Sequence, residues 1–252
     1  MENVHGLLAV MAHPDDESMG CGGLILRHSR AGVPVNLICA TRGEAGWMGK
    51  PRGAVEPDLP QIRASELEEA AAALAIGGVE LWDYPDGGVS TIDPQELTQR
   101  IWEQISKLHP KAVVTFGPDG AYGHPDHISI GACTDSAVGA MAEGDRPALY
   151  HLAVDQQLID FYQEALRLAG DGEDPLPLVV ADKIDVLVDL DADEVMMKLR
   201  AIDCHRSQLE EWRMAIREHP RLMQQGYGHE PYVAAASRGL SITAGGLLGE
   251  FG

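Results

Sequence analysis

The sequence predicts an α/β fold: a single Rossmann-like domain whose mainly parallel sheet is flanked by helices on both faces. Three observations predict it. Short apolar runs rich in β-branched residues alternate with stretches of helical periodicity, the βαβα order that builds parallel sheets. The clearest strand-like runs, Gly6 to Ala12 and Val113 to Phe116, are apolar almost throughout, as expected of strands buried on both faces. No internal repeat, low-complexity stretch or second core interrupts the 252 residues, a length that suits one α/β domain with a sizeable core.

Val4 to Met11 reads as the first strand, stopped by Pro14, which has no N–H to give to a ladder. Gly22 to Ala31 reads as a helix with Leu24, Ile25 and His28 on one side, and Pro34 to Ala40 as the second strand. Residues 41–60 are a loop rich in Gly and Pro, long enough to suggest an active-site wall. Gln61 to Ala75 is helical, with Ile62, Leu67, Ala70, Ala71 and Leu74 at helical spacing. Val79 to Trp82 is a strand, and Tyr84 to Ser90 a turn built on Pro85-Asp86-Gly87-Gly88. Pro94 to Leu108 is a helix with Leu97, Ile101, Ile105 and Leu108 as its stripe. Val113 to Phe116 is the fourth strand, broken by Gly117-Pro118-Asp119-Gly120; Ile128 to Met141 is a helix and Ala148 to Val154 a strand. Residues 154–177 are less regular, with Asp171 to Pro175 an exposed loop. Val179 to Leu190 reads as a hairpin or one bent strand. Asp191 caps a helix running to about Asp203, with Glu194 closing a capping box.

Two charged runs follow buried strands: Ala12-His13-Pro14-Asp15-Asp16-Glu17 and, far downstream, Gly123-His124-Pro125-Asp126-His127. Together they hold three histidines and four acidic side chains, ligands and proton carriers for one divalent metal site with hydrolytic chemistry. Loops at the carboxyl ends of strands are where open α/β sheets bind ligands. His13 and Asp16 can converge on one metal from such a turn, with Asp15 between them facing water. Singly, an Asp-Asp-Glu run is an ordinary helix N-terminus complementing the dipole; it is the pair of runs in this context that points to a site. Gly20, Gly22 and Gly23 invite comparison with a dinucleotide fingerprint. Ile25 stands where its third glycine belongs, and two aspartates occupy the approach of a pyrophosphate. These glycines instead let the helix start close to the metal loop.

The motifs resemble the LmbE-like, or PIG-L-type, zinc-dependent de-N-acetylases. The resemblance rests on AHPDDE (Ala12 to Glu17), TRGEAG (Thr41 to Gly46), Arg63 with Glu66, YGHPDH (Tyr122 to His127), and Lys198 followed by His205-Arg206-Ser207-Gln208. The matches run in the family's order up to about residue 210; residues 154–177 and the last forty match no motif. The resemblance implies His13, Asp16 and His127 as metal ligands, a set that suits zinc with positions left open for water and substrate. Iron, cobalt or manganese would suit the same set. It implies Asp15 as the general base on the attacking water, against a plain helix-capping role, and His124 as an imidazolium acid that stabilises the oxyanion and protonates the leaving amine. Asp126 would hold His124 or a ligand histidine. Tyr122 would offer its phenol to the oxyanion or pack on the loop. Glu44, Arg63 and Asp86 would face the sugar, although Arg63 could equally pair with Glu66 or Glu44. The His205–Gln208 run reads equally as a helix end with a new N-cap at Ser207.

The activity so implied is metal-dependent removal of acetyl from a small N-acetylated amino sugar, an N-acetylglucosamine conjugate, with an amidase of thiol–sugar conjugates as the variant. Two other classes compete. A two-metal phosphoesterase would have to recruit Glu17, Asp119 and Asp126. A non-catalytic sugar- or nucleotide-binding module sits poorly with both acid–base positions intact. Family members are often oligomers, so a homo-oligomer is compatible with the resemblance. The formal net charge of −20 argues against nucleic acid or an anionic membrane as partner, since both demand a basic surface. No apolar stretch approaches the ~20 residues of a membrane span, and the N-terminus lacks the basic region of a signal peptide. Cys21, Cys39, Cys133 and Cys204 form no Cys-x-x-Cys pair and read as reduced thiols of a cytoplasmic protein.

Overall fold

The computed structural model describes residues 6–46, 58–170, 178–208 and 216–235. Its sheet has seven strands: β1 (Leu7–Met11), β2 (Val35–Thr41), β3 (Gly78–Tyr84), β4 (Ala112–Phe116), β5 (Ala148–Leu152), β6 (Val186–Asp189) and β7 (His229–Ala234). Their order is β3-β2-β1-β4-β5-β7-β6. The first five are parallel, and β7 runs antiparallel to both β5 and β6. Every residue of β1 and β4 is buried, which is why both read as continuous apolar runs. The strand order reverses between β1 and β4, so the loops leaving these two strands diverge and open a crevice at the switch point.

The main helices are α1 (Asp16–Arg30), α2 (Leu59–Ala73), α3 (Pro94–Leu108), the one-turn α4 (Gly120–Gly123), α5 (Pro125–Gly139), α6 (Gln156–Ala169), α7 (Ala192–Cys204) and α8 (Pro220–Tyr227). Helices α1, α2 and α7 pack together, as do α3 and α5. Among the described residues no helix is long and apolar enough to cross a membrane.

The elements differ from expectation in four places. Helix α1 starts at Asp16, not Gly22, and α5 at Pro125, not Ile128. Asp16 and Glu17, and likewise Asp126 and His127, therefore lie in first helical turns, where acids meet the positive end of the dipole. Residues 156–169, read as irregular, form helix α6, capped by Asp155 accepting the Leu158 N–H at 2.9 Å and ended by Gly170 at φ 88°. The 179–190 segment contributes only the four-residue strand β6. Strand β7 has no counterpart in the sequence reading. Glu230 and Pro231 disguise it, because proline in a strand interior normally argues against pairing; here the Pro231 carbonyl still accepts the Ala153 N–H at 3.0 Å. The expectations for Val4 and for Asp171–Pro175 fall outside the described residues.

Glu230 explains how β7 is anchored. Its Oε1 accepts the Gly23 N–H (2.7 Å) and the Lys198 ammonium (2.6 Å); its Oε2 accepts the Leu24 N–H and the Tyr232 hydroxyl, both at 2.9 Å. A Cβ on Gly23 would stand 2.9 Å from Glu230 Oε1 and 2.4 Å from Leu190 Cδ1. The absent side chain thus admits β7 and its neighbours to α1. Glu230→Ala should strand a buried ammonium and two backbone donors, at a cost of about 3–5 kcal/mol. Urea denaturation measures it, and a loss below ~1 kcal/mol would show that Lys198 finds another partner.

Candidate metal centre

The centre forms where β1 and β4 end. Pro14 turns the chain out of β1 and presents His13. Asp16 opens α1 and folds its carboxylate back, Oδ2 accepting the N–H groups of His13 (2.7 Å) and Ala12 (3.2 Å). The α4 turn and the start of α5 bring His124, Asp126 and His127 from the other side. The His127 ring stacks on Phe116 of β4, 3.8 Å between centroids and 12° from coplanar.

Three donor groups converge. His13 Nδ1 lies 3.2 Å from His127 Nε2, His127 Nε2 lies 3.4 Å from Asp16 Oδ1, and His13 Nδ1 lies 3.5 Å from Asp16 Oδ2. Ligand atoms bound at 2.0–2.1 Å to a tetrahedral zinc stand about 3.3–3.4 Å apart; His13 Nδ1 and His127 Nε2 stand close to that spacing, and the Asp16 carboxylate lies beside both with one oxygen towards each ring, a donor set that suits such an ion. The outward nitrogen of each ring is occupied. His127 Nδ1 faces the Gly120 carbonyl at 3.1 Å, and His13 Nε2 faces Asp86 Oδ1 at 3.0 Å and Asp126 Oδ2 at 3.2 Å. These partners leave Nε2 of His127 and Nδ1 of His13 as the inward lone pairs. Two further groupings share His13: one with His124 and His127, one with Asp86 and Asp126. Asp86 and Asp126 face the far nitrogen of His13, on the other side of the ring from Asp16 and His127.

The electrostatics agree. Burial disfavours the His13 imidazolium, but hydrogen bonds to Asp126, Asp16 and Asp86 outweigh it and push its pKa up to about 12. Burial likewise works against the Asp16 carboxylate, yet His127 and His13 hold it well below the usual range. The carboxylates around His13 thus favour positive charge there. His124 behaves oppositely: burial and the charges of His13 and His127 push its pKa down. Its Nδ1 accepts the Asp126 N–H at 3.2 Å, so the proton of the neutral ring sits on Nε2.

Asp15 occupies the N-cap position of α1 at φ 126° but makes no side-chain cap hydrogen bond, which removes the plain capping role. A non-glycine residue there costs on the order of 1–3 kcal/mol. Its carboxylate Oδ2 lies 3.4 Å from Arg63 Nη2. Arg63 is buried and also donates to the carbonyls of Gly43 (2.9 Å) and Pro14 (2.5 Å). It therefore pairs with Asp15, not with Glu66 or Glu44. At Gly43, φ 69°, a Cβ would collide with the guanidinium at 2.4 Å. Asp86 is turned to His13, its Oδ2 accepting the Ala45 N–H at 2.9 Å, while Glu44 accepts the Asp86 N–H at 2.9 Å. Glu44, Arg63 and Asp86, expected to face the sugar, thus also brace the centre. Asp126 holds His13, not His124, and accepts the N–H groups of Gly87 (2.7 Å) and Val89 (3.1 Å). Tyr122 is 45% exposed, edge-on to His127 with 5.1 Å between centroids. Burial and the Asp16 and Asp15 carboxylates push its pKa up, so the phenol keeps its proton.

Two residues gain roles the sequence reading did not assign. Glu17 is fully buried; Oε2 accepts the Asp15 N–H at 3.1 Å and Oε1 meets His205 Nε2 at 2.8 Å. His205 is thereby a prop beneath Asp15. Glu66 accepts the N–H (2.8 Å) and hydroxyl (2.6 Å) of Ser207, which fixes that prop to α2.

The profile of the PIG-L family, described as GlcNAc-PI de-N-acetylase, matches residues 8–138. The chain is 34% identical over 248 residues to 1D-myo-inositol 2-acetamido-2-deoxy-alpha-D-glucopyranoside deacetylase of Kineococcus radiotolerans, covering 81% of this chain and 68% of that protein. It is 36% identical over 154 residues to a probable N-acetyl-alpha-D-glucosaminyl L-malate deacetylase 2 of Bacillus anthracis, covering 61% of this chain and 68% of the relative. Among solved structures, N,N'-diacetylchitobiose deacetylase from Pyrococcus horikoshii superposes with a TM-score of 0.65 at 25% identity, over 94% of this chain and 86% of that one.

Proposed function

The chain belongs to the PIG-L de-N-acetylase family, and on that premise we propose that it is a zinc-dependent deacetylase of an N-acetylglucosamine-type sugar conjugate, releasing acetate and a free amine. The observation that carries the reading is the approach of His13 Nδ1, the Asp16 carboxylate and His127 Nε2 to within 3.2–3.5 Å of one another. Zinc held by these three would polarise the amide carbonyl and acidify a water. Asp15, oriented by Arg63, takes the proton of the attacking water. His124 and Tyr122 offer Nε2–H and O–H to the oxyanion. Asp15, protonated once it has taken the proton of the water, is the group that returns it to the leaving nitrogen.

The test is a fluorescamine screen for free amine across N-acetylglucosamine conjugates, together with metal analysis. About one divalent ion per chain supports the reading. About two would favour the phosphoesterase, with the second ion on Asp86 and Asp126. His124→Ala should keep the metal and lower kcat by about 10²–10³-fold, the usual loss for one oxyanion donor. The alkaline limb of the kcat/KM profile should survive in this variant. Its disappearance would restore His124 to the role of imidazolium acid.

A further inference from the structure

Beside the metal centre lies a cavity of about 450 Å³, closed at its inner end by Asp15, Asp16, Tyr122 and His127. The remainder of its wall is largely apolar: Met19 of α1, Leu152 and Val154 at the end of β5, and Leu158, Tyr162 and Leu166 of α6. Those three α6 residues stand four apart, on one stripe of the helix. Phe161 and Ala165, on the adjoining edge of the same apolar face, are buried in the core. Leu158, Tyr162 and Leu166, on its other edge, are only partly buried and line the cavity.

Polar residues of the outer wall are already engaged. Glu230 is held by four donors, and His229 lies between the carboxylates of Asp155 and Asp189. A second sugar placed there would lose hydrogen bonds to water without replacement. The two flanks of the centre also differ. Glu44, Arg63 and Asp86 stand on the side of β2 and β3; the cavity stands on the side of β5 and β7. An amide bound at the centre has two arms, the sugar on nitrogen and the chain on the acyl carbon. The apolar arm matches the second flank, which leaves the polar arm to the first, where Glu44 is exposed. A methylene is about the size of a water's share of the liquid, ~30 Å³, so the cavity exceeds the need of an acetyl methyl by an order of magnitude.

We propose that this cavity is an acyl-chain site, and that the enzyme hydrolyses N-acylglucosamine derivatives whose acyl group is longer than acetyl. The proposal rests on the deacetylase reading. The chemistry is unchanged: the water oxygen bonds to the acyl carbon, the C–N bond breaks, the nitrogen takes the proton, and a fatty carboxylate leaves in place of acetate.

The experiment compares methyl glucosaminides carrying N-acetyl, N-butyryl, N-hexanoyl and N-octanoyl groups, using the metal-loaded full chain and free amine as readout. A parallel arm compares N-acetylglucosaminides with methyl and octyl aglycones. Each added acyl methylene should raise kcat/KM about three- to fourfold until the cavity is filled, with no comparable gain from the octyl aglycone. Leu166→Trp should flatten the chain-length profile. A profile that falls from acetyl onward, or a gain confined to the octyl aglycone, overturns the proposal while leaving the deacetylase reading intact. If no member of the panel yields amine, the deacetylase reading fails, and calorimetry of octanoate against acetate decides the cavity alone. Tighter octanoate binding that Leu166→Trp removes supports it; equal binding overturns it.

Discussion

Asp15→Asn is expected to lower kcat by about 10²–10⁴-fold, the usual weight of a general base, while the protein keeps its full complement of metal. Asp15 is not among the three converging donors; its carboxylate lies against Arg63. Asparagine is chosen over alanine because the residue sits at φ 126°, and Asn tolerates positive φ better than most residues. The amide keeps the shape and can still accept from Arg63, but it cannot take a proton from water. A loss of rate is then a loss of proton transfer, not a rearranged turn. Metal analysis of the purified variant and a free-amine assay give the two readouts. An emptied site would make Asp15 a ligand, and preserved turnover would remove it from the chemistry.

The centre was legible because its chemistry is compressed into two contiguous runs, His13 to Glu17 and Tyr122 to His127, each behind an apolar strand that the local pattern identifies. What holds these runs was not legible, for reasons of distance. Glu17 meets His205 across 188 positions and His13 meets Asp126 across 113. No local periodicity reports such contacts, so Asp86 reads as a sugar ligand until its oxygen is found on His13. Strands β1 and β4 were legible because burial on both faces leaves an unbroken apolar string. Strand β7 was not, because its identity depends on partners elsewhere: Lys198 neutralises Glu230, and β5 and β6 lie on its two sides. Helix α6 carried readable spacing at Leu158, Phe161, Tyr162, Ala165 and Leu166. One edge of that apolar face meets the core and the other lines the cavity.

His13→Ala is expected to have the largest effect: loss of most bound metal, with turnover falling to the level of the metal-free protein. Two remaining ligands hold zinc poorly, and His13 is also the residue through which Asp86 and Asp126 act on the centre. Replacing one of those supports is a graded test. Asp126→Asn should weaken metal binding by about 10–100-fold, the usual cost of a lost outer partner, without emptying the site at saturating metal. The metal-free proteins should differ too. The His13 pKa is raised from 6.5 to about 12, so its contribution to stability is fully present below pH 6.5 and lost as pH rises towards 12. At pH 7 metal-free His13→Ala should therefore melt below metal-free wild type, since Asp16, Asp86 and Asp126 are left facing one another with no cation between them. For the same reason, metal entry at pH 7 should release roughly one proton from His13, visible by calorimetry in buffers of different ionisation enthalpy. A His13→Ala variant that binds metal as tightly as wild type would place the ion elsewhere, the His124 side being the first position to examine.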